Sequence, residues 1–143
     1  MPRRPSPAIV IALVALVALV AFAACKKAPP PPPPIAFRVQ AVDVGKAIGA
    51  DKKLKTPLVL FGRRDTIYAV VTSVGVTPRV TMVAKWIDAR GKALIADSQT
   101  VATTGPAATE FHVYHTKGWP AGKYKVEVLA NGAPVGTKTY DVK

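Results

Sequence analysis

Apolar and polar residues alternate one by one along much of the chain, which is the pattern of half-buried β-strands. The clearest case is the segment 123–128, where a tyrosine and two valines alternate with charged residues, KYKVEV. Asn131-Gly132 follows and is a strong signal for a two-residue hairpin turn. A returning strand is predicted at 135–142, with Tyr140 and Val142 facing inward. The chain therefore predicts an antiparallel hairpin in this segment.

Further short strands are predicted upstream by the same alternation and by runs of β-branched residues. They cover residues 35–44, 58–61, 66–74, 79–87, 92–96 and 110–115. Gly75 and Pro78 separate two of them, and Asp88 to Gly91 predicts a hairpin turn with Gly91 in the left-handed conformation. Segments 45–56 and 101–106 are predicted as a basic loop and a connection. No segment shows sustained helical periodicity.

The chain thus has about seven predicted short strands, with turn signals every 8–12 residues. This pattern predicts an all-β, immunoglobulin-like antiparallel sandwich. Trp86 falls in a central strand. The segment 120–128, including Tyr124, resembles the penultimate strand of immunoglobulin-like and fibronectin-like modules. The stretch 118–143 resembles the C-terminal hairpin of small immunoglobulin-like proteobacterial envelope lipoproteins. The paired cysteines of antibody domains are absent from the sequence. This resemblance implies a fold and a location but no activity.

An apolar run from Ala8 to Cys25 follows Arg3 and Arg4 and ends in small residues, as in a secretory signal. Here the chain resembles bacterial lipoproteins. Ala23-Ala24-Cys25 matches the last three positions of their lipobox, and Phe22 stands where leucine is usual. The resemblance implies removal of residues 1–24 and acylation of Cys25 by lipid, palmitate included. Because Lys26 rather than aspartate follows, it also implies sorting to the outer membrane of a Gram-negative cell.

Two other interpretations of this run stay open. Ordinary signal peptidase cleavage after Ala23 would release a soluble periplasmic protein. An uncleaved run of 18 residues would be a short membrane anchor, since a spanning helix needs about 17–25 residues. All three interpretations place the rest of the chain outside the cytoplasm.

The segment 25–34 is predicted to be a spacer between the anchor and a single domain at 35–143. Six consecutive prolines, 29–34, exclude helix and sheet and favour polyproline II. At ~3.1 Å per residue they reach roughly 19 Å. The run could alternatively be a docking site for a proline-binding domain, but a plain stalk is favoured.

Charge points to the kind of partner. The chain has 20 Lys and Arg against 8 Asp and Glu, and such a positive field attracts polyanions. One stretch collects candidate contacts for lipopolysaccharide phosphates, peptidoglycan or an acidic protein: Lys46, Lys52, Lys53, Lys55, Arg63 and Arg64. The competing interpretation is an ordinary solvated face. Nucleic acid is not expected, because aromatic residues do not interleave with these charges.

The remaining candidate residues give little indication of catalysis or metal binding. Trp119 lies in a predicted loop, where it would either contact a partner or fold back to close the sandwich. His112 and His115 are three residues apart, so they lie on opposite faces of a strand and cannot share a metal. No cofactor or catalytic residue is predicted. The expected function is a non-catalytic binding or accessory structural module held at a membrane by its lipid.

Overall fold

The computed structural model describes residues 28–143, and the predicted signal and Cys25 lie outside the described residues. Residues 28–35 are exposed and hold neither helix nor strand. Pro34–Lys143 forms one compact unit. In chain order its strands are β1 (Arg38–Gly45), β2 (Leu60–Phe61), β3 (Ile67–Val74), β4 (Val76–Asp88), β5 (Ala93–Thr104), β6 (Ala107–Val113), β7 (Gly122–Ala130) and β8 (Ala133–Val142).

These strands form two sheets. One has the order β1-β3-β6 and the other the order β2-β8-β7-β4-β5. Neighbouring strands are antiparallel except β2, which pairs in parallel with β8. The orders β1-β3-β6 and β8-β7-β4 reproduce the A-B-E and G-F-C orders of immunoglobulin sheets, and β5 takes the C′ position. The predicted all-β, immunoglobulin-like sandwich is confirmed.

Alternate residues of both sheets meet in the core between them. Trp86 on β4 is fully buried. Its ring lies at 73° to that of Tyr140, with centroids 6.4 Å apart. Tyr140 in turn packs edge-on against Phe61 at 5.4 Å and stacks on Tyr124 at 5.6 Å. Burial, and secondarily Tyr124, raise the pKa of the Tyr140 phenol far above its ordinary value.

Tyr124 near the start of β7 completes a feature of immunoglobulin-like sandwiches. Its hydroxyl donates a hydrogen bond of 2.7 Å to the carbonyl of Pro120, four residues upstream. This is the geometry of a tyrosine corner. Its ring meets Trp119 edge-on at 5.7 Å, so the corner also fixes the connection between β6 and β7.

The C-terminal hairpin follows the prediction closely. Asn131 and Gly132 both have positive φ, 48° and 85°, as a type I′ turn requires. The turn is also tied to β4, since the Asn131 side-chain oxygen accepts a 3.0 Å bond from the backbone N–H of Thr81. Tyr140 and Val142 face inward and are buried.

Two strand predictions were wrong in their bounds. β4 begins at Val76 rather than at residue 79, because an irregularity between Thr77 and Val80 in its pairing with β5 accommodates Pro78. β5 does not stop near residue 96 but continues to Thr104, through the segment predicted as a connection. Its Ser, Gln and Thr residues pair across to β4, as in the 3.1 Å hydrogen bond between the Thr81 and Thr100 hydroxyls.

Two other strands are shifted or shortened. β6 runs over Ala107–Val113, three residues earlier than predicted at its start, and His115 lies beyond its end. β2 keeps only Leu60–Phe61 of the predicted segment 58–61. Between Gly45 and β2 the chain forms the predicted loop, with one isolated bridge from Ile48 to Leu54.

Gly75 joins β3 to β4 at a place that no side chain can occupy. Its φ is +96°, and an added Cβ would lie 2.3 Å from the carbonyl oxygen of Ala36. The approach is enforced by the 2.8 Å hydrogen bond from the N–H of Val76 to the carbonyl of Ile35. The glycine therefore allows the chain entering the domain to lie against the turn between β3 and β4.

We expect Gly75→Ala to destabilise the domain more than Gly132→Ala, measured by urea unfolding of the full-length protein in detergent. Gly132 has a similar φ of +85°, but an added Cβ there meets nothing within 4 Å. Both variants carry a left-handed penalty of about 1–2 kcal/mol. Only Gly75→Ala adds a backbone clash, roughly 1–3 kcal/mol more. Equal losses would mean that the segment entering the domain does not hold this contact.

Candidate functional site

The antiparallel pairing determines which loops share an end of the sandwich. β1, β4, β6 and β8 finish, and β3, β5 and β7 begin, at one end. We call it the basic end; it contains residues 46–59, 62–66, 89–92 and 114–121, with Lys123 and Lys143 at its margin. The chain enters the domain at the other end, beside Gly75 and the turn at Asn131-Gly132. At ~3.3 Å per residue, β1 separates the two ends by roughly 25 Å.

Cationic residues from several loops gather at the basic end. Six of them were predicted from the sequence: Lys46, Lys52, Lys53, Lys55, Arg63 and Arg64. The other five are distant in sequence from the predicted stretch and were not predicted: Arg90, Lys92, Lys117, Lys123 and Lys143. The acidic residues at this end are Asp51, Asp65, Asp88 and Asp141, and Asp141 Oδ1 lies 3.6 Å from Lys123 Nζ. In an antiparallel sandwich, successive loops alternate between the two ends. This alternation indicates which distant cations share an end.

Lys46 and Asp65 tie two of these loops together. The Lys46 ammonium lies 2.6 Å from Asp65 Oδ2, and the same oxygen accepts a 2.6 Å hydrogen bond from the backbone N–H of Gly62. The hydrogen bond from Lys46, then that from Gly62, lower the pKa of the Asp65 carboxyl. The ion pair joins the base of the 46–59 loop to the turn between β2 and β3.

Arg63 is held by the connection between β6 and β7. Its Nε donates a 3.0 Å hydrogen bond to the carbonyl of Trp119, and its own carbonyl accepts a 2.6 Å bond from the Trp119 backbone N–H. Lys46 and Arg63 therefore each have a structural role in bracing the basic end. Both side chains remain partly open to solvent.

The other predicted cations have no carboxylate within 4.0 Å among residues 28–143. These four exposed residues are Lys52, Lys53, Lys55 and Arg64. A short hairpin-like loop carries the three lysines, with Gly49 N–H bonded to the Lys53 carbonyl at 2.8 Å and Lys55 N–H to the Ala47 carbonyl at 3.0 Å. The structure thus places the six predicted residues on two adjacent loops.

Trp119 is buried, with 1% of its surface exposed. Its Nε1 donates a 3.2 Å hydrogen bond to the carbonyl of Asp65. The ring lies between Tyr124 and His115, with centroids at 5.7 and 5.5 Å. Trp119 folds back and closes this end of the sandwich, because burying the indole and satisfying its N–H are both favourable there.

A cleft of about 570 Å³ opens beside Trp119. It lies between the start of β5 and the connection leading into β7. Leu94 and Ile95 on β5 are each 40% exposed and form one apolar wall. Trp119 and Pro120 lie on the other side, and the charged residues of the lining are Asp88, Arg90 and Lys123. This cleft was not predicted from the sequence, because its walls come from segments far apart in the chain.

The two histidines lie in different surroundings. His112 on β6 has Nδ1 2.5 Å from Glu110 Oε1, and its ring lies 5.4 Å from that of Tyr68. His115 lies past β6 against Trp119. Among residues 28–143, His, Cys, Asp and Glu form no group of three that could hold a metal. In the same range no helix is long and apolar enough to cross a membrane.

No protein-family model matches the chain, and no curated protein matches it. Several solved structures match the chain. An immunoglobulin-like protein from Pseudomonas aeruginosa is 10% identical, with 76% of this chain and 98% of that one covered and a TM-score of 0.46. The Pseudomonas fluorescens DNA glycosylase AlkC bound to DNA with an abasic site analogue is 12% identical over 75% of this chain, TM-score 0.47.

A mutant β-glucosidase from Listeria innocua in complex with laminaribiose is 8% identical over 75% of this chain, with a TM-score of 0.48. This chain spans 30% of the glycosylase and 16% of the glucosidase. The similarity to the two enzymes is thus confined to a part of each.

Proposed function

We propose that this protein is a lipid-anchored, non-catalytic binding module of the cell envelope, with its basic end as the binding surface. One observation carries the proposal: cations from separate loops gather at the end of the sandwich opposite the point where the chain enters. Loops positioned by a rigid scaffold are where binding residues usually lie. The spacer enters the domain beside Gly75, so the basic end lies roughly 25 Å further along the strands.

The chemistry of Cys25 supports the anchor. A thiol can accept a diacylglyceryl group, and the amine freed by cleavage can accept another chain. One acyl chain holds a protein at a membrane only marginally, whereas two or more hold it stably at ~0.8 kcal/mol per buried CH₂. Lys26 and Lys27 follow directly and can pair with anionic head groups, at about 1 kcal/mol each.

The titratable groups with shifted pKa values support a non-catalytic role, because each has a structural task. Asp65, whose pKa is lowered, braces two loops through Lys46 and Gly62. Burial, followed by the charge of Asp88, raises the pKa of Tyr124, the tyrosine-corner residue. The Tyr140 phenol fills the core between the sheets.

The anchor is tested by labelling a Gram-negative host with radioactive palmitate while it expresses the full-length protein. We expect label on the wild type, globomycin-sensitive processing and an intact mass that starts at Cys25. The Cys25→Ser variant should take up no label and should not be processed at this position. An unlabelled soluble protein that starts at Ala24 would favour secretion instead. An unlabelled wild type at full precursor length would favour an uncleaved anchor.

Binding of anionic polymers is a second candidate function, favoured by the exposed lysines of the 46–59 loop. Lys52, Lys53 and Lys55 have no carboxylate partner among residues 28–143, so their charge is available to phosphate or carboxylate groups. Lipopolysaccharide and peptidoglycan both supply such anions.

We expect the full-length protein in detergent to co-sediment with peptidoglycan sacculi and to be released as salt rises. Replacing Lys52, Lys53 and Lys55 together by glutamine should weaken binding about threefold or more, since each exposed ion pair contributes about 0.2–1 kcal/mol. The matched control replaces Arg38, Arg79 and Lys85 by glutamine, which changes net charge equally away from the basic end. Equal weakening in both variants would show attraction by net charge alone.

A further inference from the structure

The outer edge of β5 is unpaired in the described part of the chain. β5 is the last strand of its sheet and pairs there with β4 alone. Residues 93–98 are exposed on both faces. The opposite sheet does not cover them, and it meets β5 further along, where Gln99 Nε2 donates a 2.6 Å hydrogen bond to the Glu110 carbonyl. The first half of β5 therefore offers both its backbone groups and its side chains.

This edge lacks most of the features that normally block strand addition. Proteins protect free edges with lysine, proline, bulges or very short strands. β5 is twelve residues long, without proline or lysine, and Asp97 is its single charged residue. Its pairing with β4 is irregular at Leu94, since Trp86 pairs with Ile95 and Ile87 with Ala93. In contrast, β2 has two residues, and the pairing of β1 is irregular between Val39 and Ala41. β6 is the fourth edge strand, with seven residues in regular pairing with β3. β5 is the longest of the four edges.

The cleft lies at the start of this same edge. Leu94 and Ile95 belong both to β5 and to the cleft wall, so a strand added along β5 would carry one of its side chains over the cleft. The opposite wall, Trp119 and Pro120, is rigid because the tyrosine corner and the Arg63 hydrogen bonds fix it. Arg90, Lys123 and Asp88 stand around the opening. The Asp88 carboxylate accepts hydrogen bonds from the backbone N–H groups of Arg90 and Lys92, and Lys123 Nζ lies 3.6 Å from Asp141.

We infer that the edge of β5 and the cleft together form a docking site for an extended acidic peptide that carries one large apolar side chain. Backbone hydrogen bonds to a free edge supply affinity, and a pocket for one side chain supplies specificity. The apolar walls select the inserted side chain, and the cations of the basic end select acidic neighbours. The inference rests on the proposed binding role and names its partner, but it does not depend on the lipid anchor.

A second copy of this chain fits the site less well. An antiparallel pairing along the whole of β5 would place Ala102 of the second copy opposite Ile95, and its Thr104 opposite Ala93. These small residues leave the cleft unfilled. Two such domains also bring together two positive basic ends, which repel. An acidic peptide removes both objections.

The test selects ten-residue peptides displayed on phage against the full-length protein in detergent. We expect enriched peptides to combine β-branched residues, one large apolar residue and adjacent Asp or Glu. Their synthetic forms should bind Ile95→Ser and Arg90→Ala at least about tenfold more weakly than wild type. The control is Val135→Ser, whose parent residue is 37% exposed on β8 and should leave affinity unchanged. Circular dichroism establishes that each variant is folded.

Several outcomes would overturn the inference. One is the absence of enrichment, and another is affinity that Ile95→Ser and Arg90→Ala leave unchanged. Enriched peptides without acidic residues would contradict the charge selection. A concentration-dependent dimer in light scattering that Ile95→Ser abolishes would show that a second copy occupies the edge. Palmitate labelling and co-sedimentation are measured separately, so a failure here leaves the proposed anchor and polymer binding standing.

Discussion

Trp119→Ala is expected to lower the free energy of unfolding by about 3–5 kcal/mol, the range found when a buried tryptophan is truncated. The indole is 1% exposed and packs against Tyr124 and His115, so its removal leaves a cavity. The loss also removes the 3.2 Å bond from Nε1 to the carbonyl of Asp65. That contact joins the turn between β2 and β3 to the connection between β6 and β7, so both loops should loosen together.

Urea unfolding of the full-length protein in detergent, followed by far-ultraviolet circular dichroism, measures this loss. Trp119→Phe is the matched variant, because it keeps an aromatic ring against Tyr124 and removes the N–H donor. It should lose less stability than Trp119→Ala. A cost below about 1 kcal/mol for Trp119→Ala, typical of surface positions, would contradict the buried position of this side chain.

Trp86→Ala is expected to cost a similar amount, about 3–5 kcal/mol, since Trp86 is fully buried between the sheets. The ring contacts Tyr140, and truncation would leave a cavity that the paired strands β4 and β7 cannot close. The variant should also lose cooperativity in its unfolding transition. The measurement is the same urea titration, with the urea midpoint and the slope reported together.

The phenylalanine variants distinguish the two tryptophans. Among the described residues Trp86 Nε1 has no hydrogen-bond partner, whereas Trp119 Nε1 does. Trp86→Phe removes an unsatisfied buried donor, which offsets part of the lost packing. Trp119→Phe leaves the Asp65 carbonyl without its donor. We therefore expect Trp119→Phe to be the more costly by about 1 kcal/mol, and the reverse order would mean that Trp86 Nε1 is hydrogen-bonded in solution.

The β-sheet architecture was predictable where burial imposes a period of two. In β7, Tyr124, Val126 and Val128 are all buried, as their alternation with charged residues predicts. Asn131-Gly132 adopts the positive φ values that make this dipeptide a turn signal. Local sequence was sufficient there because the turn and the strand pattern specify the same register.

Local sequence was insufficient where pairing decides the structure. The second half of β5 alternates few apolar residues, because it is an edge strand held by its bonds to β4. β2 exists only because residues 60–61 meet Asp141 and Val142 in parallel, a contact with a partner some eighty positions away. Neither is encoded in a window of ten residues.

The candidate site shows the same division. The cluster from Lys46 to Arg64 is visible in the sequence because it is contiguous. Arg90 and Lys117 join it only through the antiparallel order of the strands. The cleft exists because the β1-β3-β6 sheet leaves the start of β5 uncovered. No local sequence pattern indicates this. Prediction of the strand order is thus the step needed to find the site.

The parallel pairing of β2 with β8 has a consequence for biosynthesis. The N–H of Asp141 bonds to the Val59 carbonyl at 2.8 Å, and that of Lys143 to the Phe61 carbonyl at 3.0 Å. Contacts this distant in sequence form late, since a long loop must close before they contribute. A nascent chain that ends before residue 141 lacks the partner of β2. This part of the sheet can therefore form only after residues 141–143 have been synthesised.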